Sequence, residues 1–221
     1  MNYQWDFSII AQNFPVLLKG LGVTLELWLV AGLSGTIIGL ILGMARTNSR
    51  RWIMVITRSV VEVFRNTPVL IQLIWFYYAF PVLVGIQFST FGAAALALTL
   101  YTAAYSSEIF RAGLQSIERG QWEGAKALGM SRPVALRRII LPQVFRRMLP
   151  ALTNRMIELA KVTSLASILT VNELMYQGRL LSSTYYRPVE ILTVVALLYF
   201  VLIWPGSYLA SRLERHYRPQ P

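Results

Sequence analysis

Long apolar runs alternate with short basic ones along the whole chain. Five apolar stretches are long enough to cross about 30 Å of hydrocarbon at about 1.5 Å per residue. They cover about residues 21–45, 53–84, 91–110, 149–171 and 191–209. The second should meet the membrane surface near Arg65 and Pro68. The fourth contains Asn154, Arg155, Glu158 and Lys161. Set among four clear spans, it reads as a transmembrane helix with a polar lining. The pattern predicts an all-α, polytopic membrane protein with five transmembrane helices. It forms one transmembrane domain over residues 1–221, with a basic loop over about residues 111–147.

Basic side chains orient the spans. Arg46, Arg50, Arg51, Arg58 and Arg65 follow the first stretch. Arg111, Arg119, Lys126, Arg132, Arg137, Arg138, Arg146 and Arg147 lie between the third and fourth, and Arg212, Arg215 and Arg218 in the tail. With five spans these sixteen of the twenty-one basic residues share one side, while residues 81–92 carry none. The positive-inside rule then puts the N-terminus outside and the C-terminus in the cytoplasm. Four spans would strand one basic block on the wrong side.

Composition narrows the class. Of 221 residues 55% are hydrophobic and 14% charged, with a mean hydropathy of +0.51, whereas soluble domains carry about 25% charged residues. The net charge of +11 is spread in blocks between apolar spans, which argues against nucleic-acid binding. Without cysteine, and with His216 as the lone histidine, the chain has no disulfide framework and no metal-binding cluster. The first fifteen residues lack a basic leader and include Asp6 and Asn13, so no cleavable signal is expected and the first span stays as an anchor.

Gly35, Gly39 and Gly43 fall on one face of the first span, with Gly32 nearby. Such spacing makes a close packing seam, although glycine is also simply common in membrane helices. Trp75, Phe76, Tyr77, Tyr78, Tyr101, Tyr105, Trp204 and Tyr208 suit interfacial anchoring better than a substrate cage.

The basic loop carries the sharpest local pattern. Helix formers run from Glu118 to Leu128, Gly129 can take the left-handed conformation that stops a helix, and Ser131-Arg132-Pro133 suits the start of another. Pro142 should break that second piece before the fourth span. Within it, Glu123-Gly124-Ala125, Gly129, Ile139 and Leu141-Pro142 resemble a loop of the inner-membrane permeases of bacterial ABC importers. That pattern reads Glu-Ala-Ala, three residues, Gly, nine residues, Ile, one residue, Leu-Pro. The spacing is kept throughout, and Gly124 is the one departure.

The resemblance implies a type I ABC importer permease fold whose loop is a coupling helix docking on a separate ATPase. Glu123 would make polar contact with that subunit, Ala125 would keep the surface flat, and Gly129 would set the turn. Gly124 in place of alanine should loosen the helix by about 1 kcal/mol. Leu141 and Pro142 complete the motif. The plain alternative is an amphipathic helix lying on the membrane surface. No Gly-x-x-x-x-Gly-Lys-Ser/Thr segment occurs, so the expectation is no catalytic residue and no bound cofactor, with ATP and magnesium on the partner.

Three further segments, residues 63–73, 104–113 and 161–165, are similar to those of polar amino-acid permeases of the histidine, glutamine and glutamate branch. On that basis Asn154, Arg155, Glu158, Thr163, Ser164 and Glu108 are candidates for the substrate path. An internal Arg155–Glu158 pair that lets the span insert is compatible with that role. Glu108 can equally reach towards Arg111 at the inner end of its span. Many members of the branch have Asn-Glu where this chain has Asn154-Arg155, and often Asp where it has Val162. These exchanges favour an acidic or neutral polar substrate over lysine, arginine or histidine. A basic substrate is the alternative.

The resemblance also implies the partners and the location. Two ATP-binding subunits, a second permease copy or a paralogue, and a periplasmic binding protein contacting the polar segment at about residues 178–187 would complete an importer in the bacterial inner membrane. Two rivals are weaker. A membrane-embedded enzyme needs convergent reactive groups, and an ion-coupled transporter usually shows internal repeats; the sequence has neither.

Overall fold

The computed structural model describes residues 4–47 and 50–217, with side chains as far as residue 215. His216 as a side chain and Arg218 therefore lie outside the described residues. Among those described every regular element is helical. In chain order they are α1 (Ser8–Ala45), α2 (Arg51–Asn66), α3 (Val69–Tyr78), α4 (Phe80–Val84), α5 (Thr90–Gln115), α6 (Arg119–Ala127) and α7 (Arg132–Ala135). A π-helical turn (Leu136–Ile140), α8 (Leu141–Val162), a 3-10 segment (Thr163–Leu169), α9 (Leu174–Tyr185) and α10 (Pro188–Tyr217) follow.

α5 is the central post. α1 lies along it, α2 and α3 pack on a second side, and α8 on a third. Gly35, Gly39 and Gly43 face α5 at backbone distance. A Cβ at Gly39 would stand 2.6 Å from the Cβ of Ser106 and 2.9 Å from the carbonyl oxygen of Ala103. At Gly35 it would stand 2.8 Å from the Thr99 carbonyl oxygen, and at Gly43 2.9 Å from that of Ser107. α5 answers with small residues, Thr99, Thr102, Ala103, Ser106 and Ser107, all buried. Gly32, one turn earlier, faces Met156 and Leu159 of α8 instead.

Several boundaries differ from those the hydropathy pattern predicts. α1 begins at Ser8 rather than near residue 21 and holds 38 residues, about 57 Å of helix. Its outer third packs Ile10 and Leu17 against Leu174, Leu181, Ile191 and Val195 of α9 and α10. The second stretch is not one helix. Thr67 is extended, as a residue before proline prefers, and Pro68 separates α2 from α3. Buried Gln72 repairs the break by donating from Nε2 to the carbonyl oxygens of Phe64 (2.8 Å) and Thr67 (2.9 Å).

Pro142 does not stop a helix. It sits in the first turn of α8, where a missing N–H costs little, and the π turn carries the chain into α8 without a gap. The fourth predicted span finishes in the 3-10 segment, closed by Thr170 at φ 56°. The polar stretch expected as an outer loop at residues 178–187 is mostly α9. That helix starts on the buried carboxylate of Glu173, which accepts from the amides of Met175 (2.8 Å) and Tyr176 (2.7 Å) and from the Tyr199 hydroxyl (2.8 Å).

Among the described residues, α1 and residues 188–215 of α10 are long and apolar enough to cross a membrane. Shorter or more polar helices make up the rest, of which α2, α3 and α8 pack on α5.

The α1–α5 approach is testable. Gly39→Val should cost about 1–3 kcal/mol through overpacking and lower the thermal unfolding midpoint in detergent. Gly22→Ala, where an added Cβ meets nothing within 4 Å, should leave the midpoint unchanged or raise it.

Candidate functional site

The basic loop folds as α6, a tight turn and α7. Leu128 caps α6, Gly129 adopts φ 72°, and two bonds close the end: Met130 N–H to the Ala125 carbonyl and Gly129 N–H to the Lys126 carbonyl, both 3.0 Å. This is the left-handed glycine stop that places a reversal after a helix. Extended Ser131, with Pro133 in the next turn, starts α7. Between α6 and α7 opens a hollow of about 760 Å³, lined by Trp122, Glu123, Lys126, Met130, Arg132 and Leu136 among others.

Glu123, Gly124 and Lys126 are exposed, an added Cβ at Gly124 meets nothing, and Leu128 projects with 79% of its surface free. Ala125 is not on this surface. It is 2% exposed because α6 turns it inward, so it fixes the helix against the rest of the loop instead of presenting a flat contact. Leu141 and Pro142 stand apart in the first turn of α8.

The loop is tied firmly to the bundle. Trp122 packs against the cluster of Phe110, Ile117, Ile140, Val144 and Met148. Gln143 donates to Gln121 Oε1 at 3.1 Å, and Arg147 donates to the Ser116 carbonyl oxygen. These contacts join α6 to α5 and α8.

The polar residues of α8 separate into two faces. Asn154, Glu158 and Lys161 are exposed, at the spacing of one helical face. Arg155 points inward and is 3% exposed. Its guanidinium lies 4.1 Å from the Tyr101 ring centre and 4.2 Å from that of Tyr105, a cation–π arrangement on two rings. Its Nη1 donates to Glu158 Oε2 at 2.9 Å, while the Tyr101 hydroxyl donates to Glu158 Oε1 at 3.2 Å. Asn154 donates to Glu214 of α10 at 2.6 Å. Thr163 and Ser164 turn back to the carbonyls of Ala160 and Lys161, so their hydroxyl protons are used within the segment.

Glu108 does not join that face. It lies among three arginines: Arg46 of α1 at 2.7 Å, Arg65 of α2 at 3.6 Å, and Arg111 one turn along α5. The Tyr105 hydroxyl donates to the Arg65 carbonyl oxygen at 3.2 Å. Polar contacts thus run from Glu158 through Arg155, Tyr105 and Arg65 to Glu108. Sequence reasoning missed this chain because its members come from α2, α5 and α8. The local signals were the Arg155–Glu158 pair, which the sequence did suggest, and Tyr101 and Tyr105 at i and i+4. It also missed the Glu173 knot, in which Thr24 accepts from the Leu174 amide at 3.1 Å.

The all-helical bundle, with a polar face on α8 and a basic loop anchored to α5 and α8, is compatible with a membrane permease. The chain belongs to the family of binding-protein-dependent transport system inner membrane components, whose model matches residues 35–219. Over 210 residues it is 34% identical to the arginine transport system permease protein ArtQ of Bacillus subtilis (strain 168), covering 95% of this chain and 96% of that one. It is 33% identical to a putative glutamine transport system permease protein, GlnP, of Rickettsia conorii, covering 95% and 97%. A solved amino acid ABC transporter with histidines superposes with a TM-score of 0.89 at 34% identity, over 97% of this chain and 100% of that one. A chain of the MetNI methionine ABC transporter shares the fold, with a TM-score of 0.78 at 22% identity over 94% and 99%. The protein is an inner-membrane permease of the amino-acid ABC importer type, with the type I permease fold.

Glu108→Gln should leave buried Arg46 without its counter-charge. The expected loss is about 1–3 kcal/mol, below the figure for a fully buried pair because Glu108 is partly exposed. Thermal unfolding of the purified protein reads it directly, and Glu62→Gln, at the edge of the cluster, should change little.

Proposed function

We propose that this chain is the five-span permease of an ATP-driven importer of polar amino acids working by alternating access in the bacterial inner membrane. Its N-terminus lies outside and its C-terminus in the cytoplasm. The observation that carries this reading is the α6–α7 hollow with exposed Glu123, fastened through Trp122 to α5 and α8. One separate ATP-binding subunit, of two in the importer, docks there. The two subunits hold the ATP and magnesium, and this chain binds no cofactor and catalyses no reaction. Their closure rocks the permease against a second copy or a paralogue, while a periplasmic binding protein delivers substrate near the outer end of α9.

The substrate path runs along the exposed face of α8. Arg155, Glu158, Lys161 and the Glu214 that holds Asn154 balance in charge, so it is the exchanges at Arg155 and Val162 that support an acidic or neutral polar amino acid over a cationic one. Arg155 itself acts from behind Glu158, whose carboxylate it partly neutralises.

Two measurements test this. Stimulation of ATP hydrolysis in the reconstituted importer by binding protein loaded with aspartate, glutamine or arginine should rank arginine last, and a strong arginine preference would overturn the substrate assignment. Glu123→Ala should cut transport at least severalfold with normal assembly of the spans. Gly124→Ala should keep it, since the added methyl group meets open space and improves helix propensity by about 1 kcal/mol. Full uptake by Glu123→Ala would remove that carboxylate from the coupling contact.

A further inference from the structure

A second hollow, of about 640 Å³, opens behind the docking loop, and Trp122 and Leu136 wall both. Leu40, Met44, Met54, Phe110, Phe145 and Met148 supply much of its apolar wall, from α1, α2, α5 and α8. Three polar residues at its rim already have partners. Arg46 pairs with Glu108, the Thr47 hydroxyl donates to the Met44 carbonyl oxygen, and Gln115 accepts from Arg111.

Just outside, α2 carries Arg51 three residues before Met54 and Arg58 four residues after it, hence on the same helical face. Both are exposed, and neither has a hydrogen bond or ion pair among the described residues. Glu62, the acid of that face, is taken up by Asn66 at 3.0 Å and Arg65 at 3.7 Å. Farther round the helix, Trp52, Ile56 and Val63 are exposed. α2 is thus a basic amphipathic helix, the pattern of a segment lying at a membrane surface.

We propose that the hollow and this arginine pair form a binding site for one anionic phospholipid of the leaflet the basic loops face. An acyl chain fills the hollow, and the headgroup phosphate lies between Arg51 and Arg58. Charge complementarity selects the occupant. A free anion would use the arginines but leave the apolar walls uncovered. A peptide segment would bring backbone N–H and C=O groups against mostly apolar walls that leave most of them without partners.

The test uses the importer assembled with its ATP-binding subunits. It is equilibrated with mixed micelles of phosphatidylglycerol and phosphatidylcholine, and retained lipid is counted by native mass spectrometry. The wild type should retain phosphatidylglycerol in preference. Arg51→Gln/Arg58→Gln should lose about 25-fold of that preference, since each arginine near an anionic surface contributes about fivefold. Met54→Trp, which narrows the hollow on its α2 side, should weaken retention of both lipids alike, and Arg212→Gln/Arg215→Gln should behave as wild type. The proposal is overturned if the wild type shows no preference, if the two double variants lose it equally, or if millimolar inorganic phosphate alone displaces the lipid.

Discussion

The close approach of α1 to α5 is the contact on which the rest of the molecule depends. With no water to expel between helices in a bilayer, association rests on packing and hydrogen bonding, and both need short distances. Three glycines on α1 set against hydroxyl and methyl side chains on α5 allow backbone contact over two turns. That contact leaves the other sides of α5 free to take α2, α3 and α8. Above the seam, Gly20 lets α1 approach the backbone around Glu173 and Leu174. Below it, Arg46 reaches Glu108.

Charges inside this frame are few, and the inner ones are paired. Glu108 ties the end of α1 to α2 and α5 at one end of the bundle, and Glu173 ties the start of α9 to α10 at the other. Between them, Arg155 rests on Tyr101 and Tyr105 and leaves Glu158 half exposed. An isolated charge at this depth would be costly; paired and stacked, it becomes a rigid part of the wall. Packed side chains likewise join the basic loop to α5 and α8, through Trp122 against Phe110, Val144 and Met148.

Much of this was legible in the chain. Basic blocks, apolar runs and the glycine spacing are local patterns, and so is the Gly129 stop, which the structure places at φ 72°. Contacts between distant segments were not legible. The break at Pro68 was half legible: the sequence marked Arg65 and Pro68 as a surface point but not as the end of a helix, and the Gln72 side chain that mends it looks like any polar residue in a span. Pro142 misled because a proline reads as a stop, whereas the π turn before it makes it a first-turn residue. α9 was hidden by its serines, threonine and arginine, which read as a loop until Glu173 is seen to cap it. Ala125 faces inward because helical phase, not motif position, decides which side of α6 it occupies.

The most direct test of the account is sidedness combined with protection, which a chain without cysteine makes simple. Glu123→Cys and Tyr186→Cys would each be labelled with a membrane-impermeant maleimide in vesicles of known orientation; Tyr186 is 87% exposed at the end of α9. The account predicts labelling of the first only from the cytoplasmic side, with protection when the ATP-binding subunit is added, and of the second only from the opposite side without protection. Labelling of both from one side, or no protection at position 123, would contradict it.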